Sequence, residues 1–127
     1  MNQPKKILVA EDSSVIQNLT KKILSLQNYD ITTVKDGTKV MTKLQTENFD
    51  LILLDIHMPL MDGMECAKQI RALDNDNANV PILAITGNAN NYSLEDFQAV
   101  GIDDFMSKPL NYDALVESVN DILVNGD

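Results

Sequence analysis

Side chains able to do chemistry stand at the ends of short apolar runs. Glu11 and Asp12 follow residues 6–10, Asp55 follows 51–54, Thr86 follows 81–85, and Lys108 lies a few residues past 103–106. If those runs are strands that share one edge, three carboxylates, a hydroxyl and an ammonium converge there. Three carboxylates held together repel one another and stay partly protonated unless a cation joins them, so a hard divalent metal is the natural occupant. Mg²⁺ fits because it takes few carboxylates and keeps its waters, and Mn²⁺ is expected to substitute. A phosphoryl group would then bind between the metal and Lys108. Asp55 would be placed to attack phosphorus as a carboxylate nucleophile, and Thr86 to hydrogen-bond a phosphoryl oxygen.

Placing those residues requires alternating elements, and the apolar pattern supplies them. Residues 6–10 read as a buried strand, after which Val15, Leu19, Ile23 and Leu26 mark one helix face. Residues 31–34 form a more polar strand, turned by Asp36-Gly37 into a helix with Val40, Met41 and Leu44 inward. The third strand, 51–54, leads through a turn-rich loop, 55–62, into a helix with Met64, Ala67, Ile70 and Leu73 inward. A polar loop, 74–79, precedes a strand at 81–85. A weaker helix then runs from about Ser93 with Leu94, Phe97 and Val100 inward, capped by Gly101. A short strand at 103–106 and a helix with Leu115, Val119 and Ile122 inward complete the chain. Strands joined by helical crossovers predict a parallel sheet, hence a flavodoxin-like, doubly wound (βα)5 α/β sandwich. Such sheets bind ligands at the carboxyl ends of their strands, where the acidic residues cluster.

The chain has 127 residues, which suits one domain over 1–127 with no output domain. Its net charge of −9 argues against nucleic acid and anionic membrane as partners. The single cysteine, Cys66, has no partner for a disulfide within the chain, and His57 is the lone histidine, so zinc-type ligation is not supported. No run is long enough to cross a bilayer and the N-terminus lacks a signal-peptide core, so a cytoplasmic protein is expected.

Taken together and in this order, the residues resemble a response-regulator receiver domain of two-component signalling. Glu11-Asp12 resembles the acidic pair of that family, and Asp55 with Met58-Pro59-Leu60-Met61-Asp62-Gly63 its phosphoacceptor loop. Thr86 resembles its switch hydroxyl, and Lys108-Pro109 its lysine with a following cis proline. The resemblance implies a phosphoprotein in a phosphorelay. Asp55 would accept a phosphoryl group from a phosphohistidine on a histidine kinase or histidine phosphotransfer protein and become an aspartyl phosphate. Glu11, Asp12, Asp55 and the backbone carbonyl of His57 would hold Mg²⁺, with Lys108 against the phosphoryl oxygens. Thr86 and Phe105 would be the switch residues, reshaping the face of the fourth helix, fifth strand and fifth helix for a downstream protein partner. The protein would not be an enzyme beyond its self-catalysed phosphotransfer and autodephosphorylation, whose rate the resemblance links to His57 and Asn88. The phrases around 84–89 and 101–105 are closer to receivers of hybrid kinases and phosphorelays than to transcriptional ones, in a free chain or a piece of a longer one.

Each residue also has a plainer reading. Glu11 and Asp12 alone would be charges favouring a helix N-terminus, Asp62 is read as a helix cap, Thr86 alone as a half-buried β-branched residue, and Cys66 as inert packing. Only the constellation promotes the others. A haloacid-dehalogenase-type phosphatase also uses an aspartyl nucleophile with Mg²⁺. It wants a second Asp two residues on, where this chain has His57, and a nucleophile on the first strand rather than the third. A flavin-binding reading fails because Glu11-Asp12 would repel the phosphate, and a chemotaxis-type regulator acting on a motor is a further alternative.

Overall fold

The computed structural model describes residues 3–87 and 91–124; Asn88 lies outside them. Strands β1 (Lys6–Ala10), β2 (Asp30–Val34), β3 (Leu51–Asp55), β4 (Ile82–Thr86) and β5 (Asp104–Ser107) alternate with helices α1 (Ser14–Ser25), α2 (Gly37–Leu44), α3 (Gly63–Arg71), α4 (Leu94–Ala99) and α5 (Tyr112–Val124). The sheet order is β2-β1-β3-β4-β5, every neighbouring pair parallel. Chain order reverses between β1 and β3, which makes that junction the switch point of a doubly wound sheet.

Alternation along each inner strand divides the core in two. Ile7, Val9, Leu51, Leu53, Leu83 and Ile85 pack with Leu24 of α1 and with Leu115 and Val119 of α5. Leu8, Ala10, Ile52, Leu54, Ile82 and Ala84 pack with Val40, Leu44, Cys66, Ala67, Ile70 and Phe97 of α2, α3 and α4. Both faces of the sheet are thus dry, which is why these strands read as continuous apolar runs. Local signals set the helix starts: Ser13, Asp36, Asp62 and Ser93 each cap a first turn by accepting a backbone N–H.

Two expected helix faces are corrected. On α1, Val15, Leu19 and Leu26 are 78%, 43% and 73% exposed, Ile23 is half-buried, and the buried residues are Gln17, Thr20 and Leu24. The helix is turned because the Gln17 amide finds two backbone carbonyls beneath it, at 3.1 Å from Glu11 O and 3.0 Å from Val34 O. On α4, Leu94 is 42% exposed and Phe97 alone is buried, since six residues present less than two turns to the sheet. The loop 74–79 also contains a 3-10 turn, Asp76–Asn79, whose Asn77 is buried. Its side chain accepts from Phe49 N and donates to Leu44 O and Glu47 O, tying the α2–β3 connection to the start of β4.

Candidate functional site

Register at the switch point assembles the site. Ala10 pairs with Leu54 across β1 and β3, so the residues one step further, Glu11 and Asp55, lie side by side at the carboxyl edge. Glu11 N continues the ladder to Val34 O at 3.0 Å. Carboxylate oxygens of Glu11, Asp12 and Asp55 all lie within 4.8 Å of one another, with Glu11 and Asp55 buried and Asp12 exposed.

Lys108 reaches this cluster from β5. Its Nζ stands 3.2 Å from Glu11 Oε1 and 3.2 Å from Asp55 Oδ2. Its backbone N donates to Thr86 O at 2.8 Å, which fixes the lysine to the end of β4, and the Lys108–Pro109 peptide is cis. Thr86 is fully buried as the last residue of β4, one strand away from Asp55. The other oxygen of Asp55, Oδ1, accepts from His57 N at 3.2 Å, so the His57 backbone lies against the site while its side chain is exposed. Phe105 is half-buried, its ring 5.0 Å from that of Phe97.

The β3–α3 loop is held to the site by a glycine. Gly63 N donates to Ile56 O at 2.8 Å, and a Cβ at Gly63 would stand 2.7 Å from Asp55 O and 2.8 Å from Ile56 Cα. Leu60, in the same loop, adopts a left-handed φ of 69° with an exposed side chain.

The electrostatics are unbalanced. Burial pushes Glu11 from 4.5 up to about 7; the Ser13 amide and Lys108 oppose this and the neighbouring Asp55 reinforces it. Burial pulls Lys108 down, but Asp55 and Glu11 outweigh it and leave its ammonium raised. Among the described residues, one ammonium, Lys108, meets two of the three clustered carboxylates, which leaves unmet demand for positive charge. The donor set is all oxygen, which suits a hard divalent cation.

Of the sequence candidates, Glu11, Asp12, Asp55 and Lys108 converge, with Thr86 on the next strand and the His57 backbone adjoining. Asp62 is the N-cap of α3, accepting from Glu65 N at 2.9 Å. Cys66 is buried on the inward face of α3 and its thiol is pushed up to about 12, by burial first and by Asp62, Asp36 and Glu65 beyond that. Gln17 is a buried polar residue at this end of the sheet that sequence reasoning passed over. Its one signal was its place three and seven residues before Thr20 and Leu24, a period that apolar counting ignores.

Residues 7–120 match the response regulator receiver domain family, and the chain belongs to it. It is 37% identical over 123 residues to hybrid signal transduction histidine kinase I of Dictyostelium discoideum, covering 92% of this chain and 7% of that protein. It is 36% identical over 107 residues to the alkaline phosphatase synthesis transcriptional regulatory protein PhoP of Bacillus subtilis, covering 84% of this chain and 43% of that one. The chain therefore spans less than half of either curated relative. Among solved structures, chemotaxis response regulator CheY4 of Vibrio cholerae superposes with a TM-score of 0.87 at 29% identity, covering 94% of this chain and 99% of that chain. The receiver domain of sensor histidine kinase PA1611 of Pseudomonas aeruginosa, solved with a magnesium ion coordinated in its active site cleft, superposes with a TM-score of 0.84 at 30% identity, covering 96% of this chain and 98% of that chain. As a receiver domain the chain is a phosphoacceptor in signal transduction, and the phosphatase alternative is not favoured. Among the described residues, no helix is long and apolar enough to cross a membrane.

Proposed function

We propose that Asp55 is the phosphoacceptor, taking its phosphoryl group from a phosphohistidine on a histidine kinase or phosphotransfer protein. The observation that carries this reading is the Lys108 ammonium, 3.2 Å from both Glu11 and Asp55 at the switch point of the sheet. A carboxylate oxygen of Asp55 attacks phosphorus. The new O–P bond forms as the N–P bond of the donor breaks, and the imidazole nitrogen keeps the electron pair and takes up a proton. Lys108 exchanges its carboxylate contacts for a phosphoryl oxygen, and Thr86, at the end of the adjacent strand, supplies a hydroxyl to another.

Glu11, Asp12 and Asp55, with the backbone carbonyl of His57, are the residues that would hold Mg²⁺ or Mn²⁺. When bound, the cation supplies charge neutralisation at the transferring group. Thr86 and Phe105 couple the new charge to the surface of α4, β5 and α5, where a downstream protein docks. Phosphorylation adds roughly −1.5 to −2 charges, enough to reorganise neighbouring donors. The chain performs self-catalysed phosphotransfer and autodephosphorylation rather than turnover of a metabolite. Its acidic net charge suits protein partners rather than nucleic acid or membrane, and its lone buried thiol suits the cytoplasm.

The test is intact mass after incubation with a small phosphodonor, with and without Mg²⁺, on the wild type and on Asp55→Asn. One labile phosphate that requires both Mg²⁺ and Asp55 is the expected result. A stable adduct, or an equal adduct on Asp55→Asn, overturns the assignment.

A further inference from the structure

Gln17 is buried at the end of the first turn of α1, on the inward face, although the same helix leaves Val15 and Leu19 in water. Its Nε2 donates to Glu11 O at 3.1 Å and to Val34 O at 3.0 Å. Val34 O also accepts from Glu11 N at 3.0 Å. Glu11 is therefore held at both of its backbone polar groups, its N–H by Val34 and its carbonyl by Gln17. The next link is local: Ser13 N donates to Glu11 Oε2 at 3.1 Å, while Ser13 Oγ accepts from Ile16 N and caps α1. One amide thus joins the helix, the end of β2 and the peptide that carries the acid pair.

From this geometry we infer that Gln17 is a positioning residue for the divalent-cation site, setting its affinity without touching the ion. The inference rests on the reading that Glu11, Asp12 and Asp55 hold a cation. A carboxylate cluster binds a small, demanding ion well only if its oxygens are held near the binding geometry beforehand, and groups behind the ligands commonly tune affinity about tenfold or more. Glu11 sits where β1 has ended, and its backbone has no strand beyond it to keep its direction. Without the Gln17 donors, the Glu11 carbonyl loses its side-chain partner and the peptide leading to Asp12 gains freedom. Each cation bound must then order it again.

The test is the Mg²⁺ dissociation constant, read from the backbone amide NMR shifts of residues 11–13 and 55–57 during titration, for the wild type, Gln17→Leu and Asn77→Ser. Gln17→Leu keeps the bulk and removes both donors; Gln17→Met serves the same end should the leucine variant fail to fold. Asn77→Ser disrupts a buried amide at the opposite end of the strands and lowers stability without approaching the acids. The expected result is a dissociation constant about tenfold higher in Gln17→Leu and unchanged in Asn77→Ser. A constant within twofold of wild type in Gln17→Leu, or an equal rise in Asn77→Ser, overturns the inference while the cation site itself stands. Wild-type protein with no saturable Mg²⁺ response overturns both.

Discussion

Glu11 makes the fold sensitive to pH in a direction opposite to ordinary acid denaturation. In the folded chain it titrates near 7 against 4.5 for the free side chain, because burial outweighs the Ser13 amide and Lys108, and Asp55 adds repulsion. The folded state therefore holds this proton more tightly than the unfolded state. The stability so gained is fully present below the unfolded value and is lost as pH rises through the folded one. The full difference corresponds to about 3 kcal/mol, of which about 2 kcal/mol falls between pH 5.5 and pH 8. Urea unfolding in the presence of a chelator, on the wild type and on Glu11→Gln, reads this directly. The difference between the two proteins cancels the titrating groups that do not touch Glu11, so wild type should lose about 2 kcal/mol relative to Glu11→Gln between those pH values. Saturating Mg²⁺ should reduce the loss in the wild type, because the ionised carboxylate is the form that binds a cation. A wild-type advantage that stays constant or grows with pH would refute the argument that an under-compensated carboxylate sits at the switch point.

Three further outcomes follow from the packing. Arg71→Met should cost about 3 kcal/mol in urea unfolding, because the guanidinium donates to Gly101 O, Ala78 O and Val80 O and pairs with Asp103, closing the amino-terminal end of the sheet; a cost under about 1 kcal/mol would show that water replaces those bonds freely. Gly63→Ala should destabilise by about 2 kcal/mol and shift the amide resonances of Asp55 and Ile56, since the atoms opposing the new methyl are backbone; a stabilised variant, as helix propensity alone would give, is the contrary result. The Cys66 thiol, buried and pushed up to about 12, should resist a thiol-reactive disulfide reagent in the native protein and react fully in urea, and stoichiometric labelling within minutes without denaturant would contradict its burial.

Why the reactive residues were legible and the second layer was not has a physical basis. Parallel strands must start and stop together, so residues that end separate apolar runs are forced to one edge. Glu11, Asp55, Thr86 and Lys108 could be grouped without knowing a single side-chain contact. The orientation of α1 carried no such constraint. Two faces competed, one of Val15, Leu19, Ile23 and Leu26 and one of Gln17, Thr20 and Leu24, and counting apolar residues favours the first. The second prevails because the sheet edge beneath the helix offers backbone carbonyls, and an amide that satisfies them is worth burying. The same blindness hid Asn77, which lies in a run of polar residues that reads as a solvated loop yet donates to two carbonyls and accepts from an amide. Leu94 failed for a different reason: α4 is so short that one anchor, Phe97, exhausts its contact with the core.

The discomfort of the resting site and its proposed use are two sides of one charge balance. Lys108 stands at equal distance from Glu11 and Asp55, and neither carboxylate is fully neutralised by it. A site satisfied at rest, with each acid paired to its own base, would have to break those pairs before accepting a divalent cation or a phosphoryl group, and the desolvation cost would count against binding. Here one ammonium is shared. On the proposed function, positive charge arriving among the acids would release Lys108 from carboxylates whose claim on it has weakened and let it turn to a phosphoryl oxygen, while Thr86 O holds its backbone in place. Cation and phosphoryl binding would then be coupled through the same lysine, each favouring the other. The rigid frame this requires has three sources: β3 holds Asp55 as its last residue, Val34 and Gln17 hold the Glu11 peptide just past β1, and Thr86 O ties Lys108 to the end of β4.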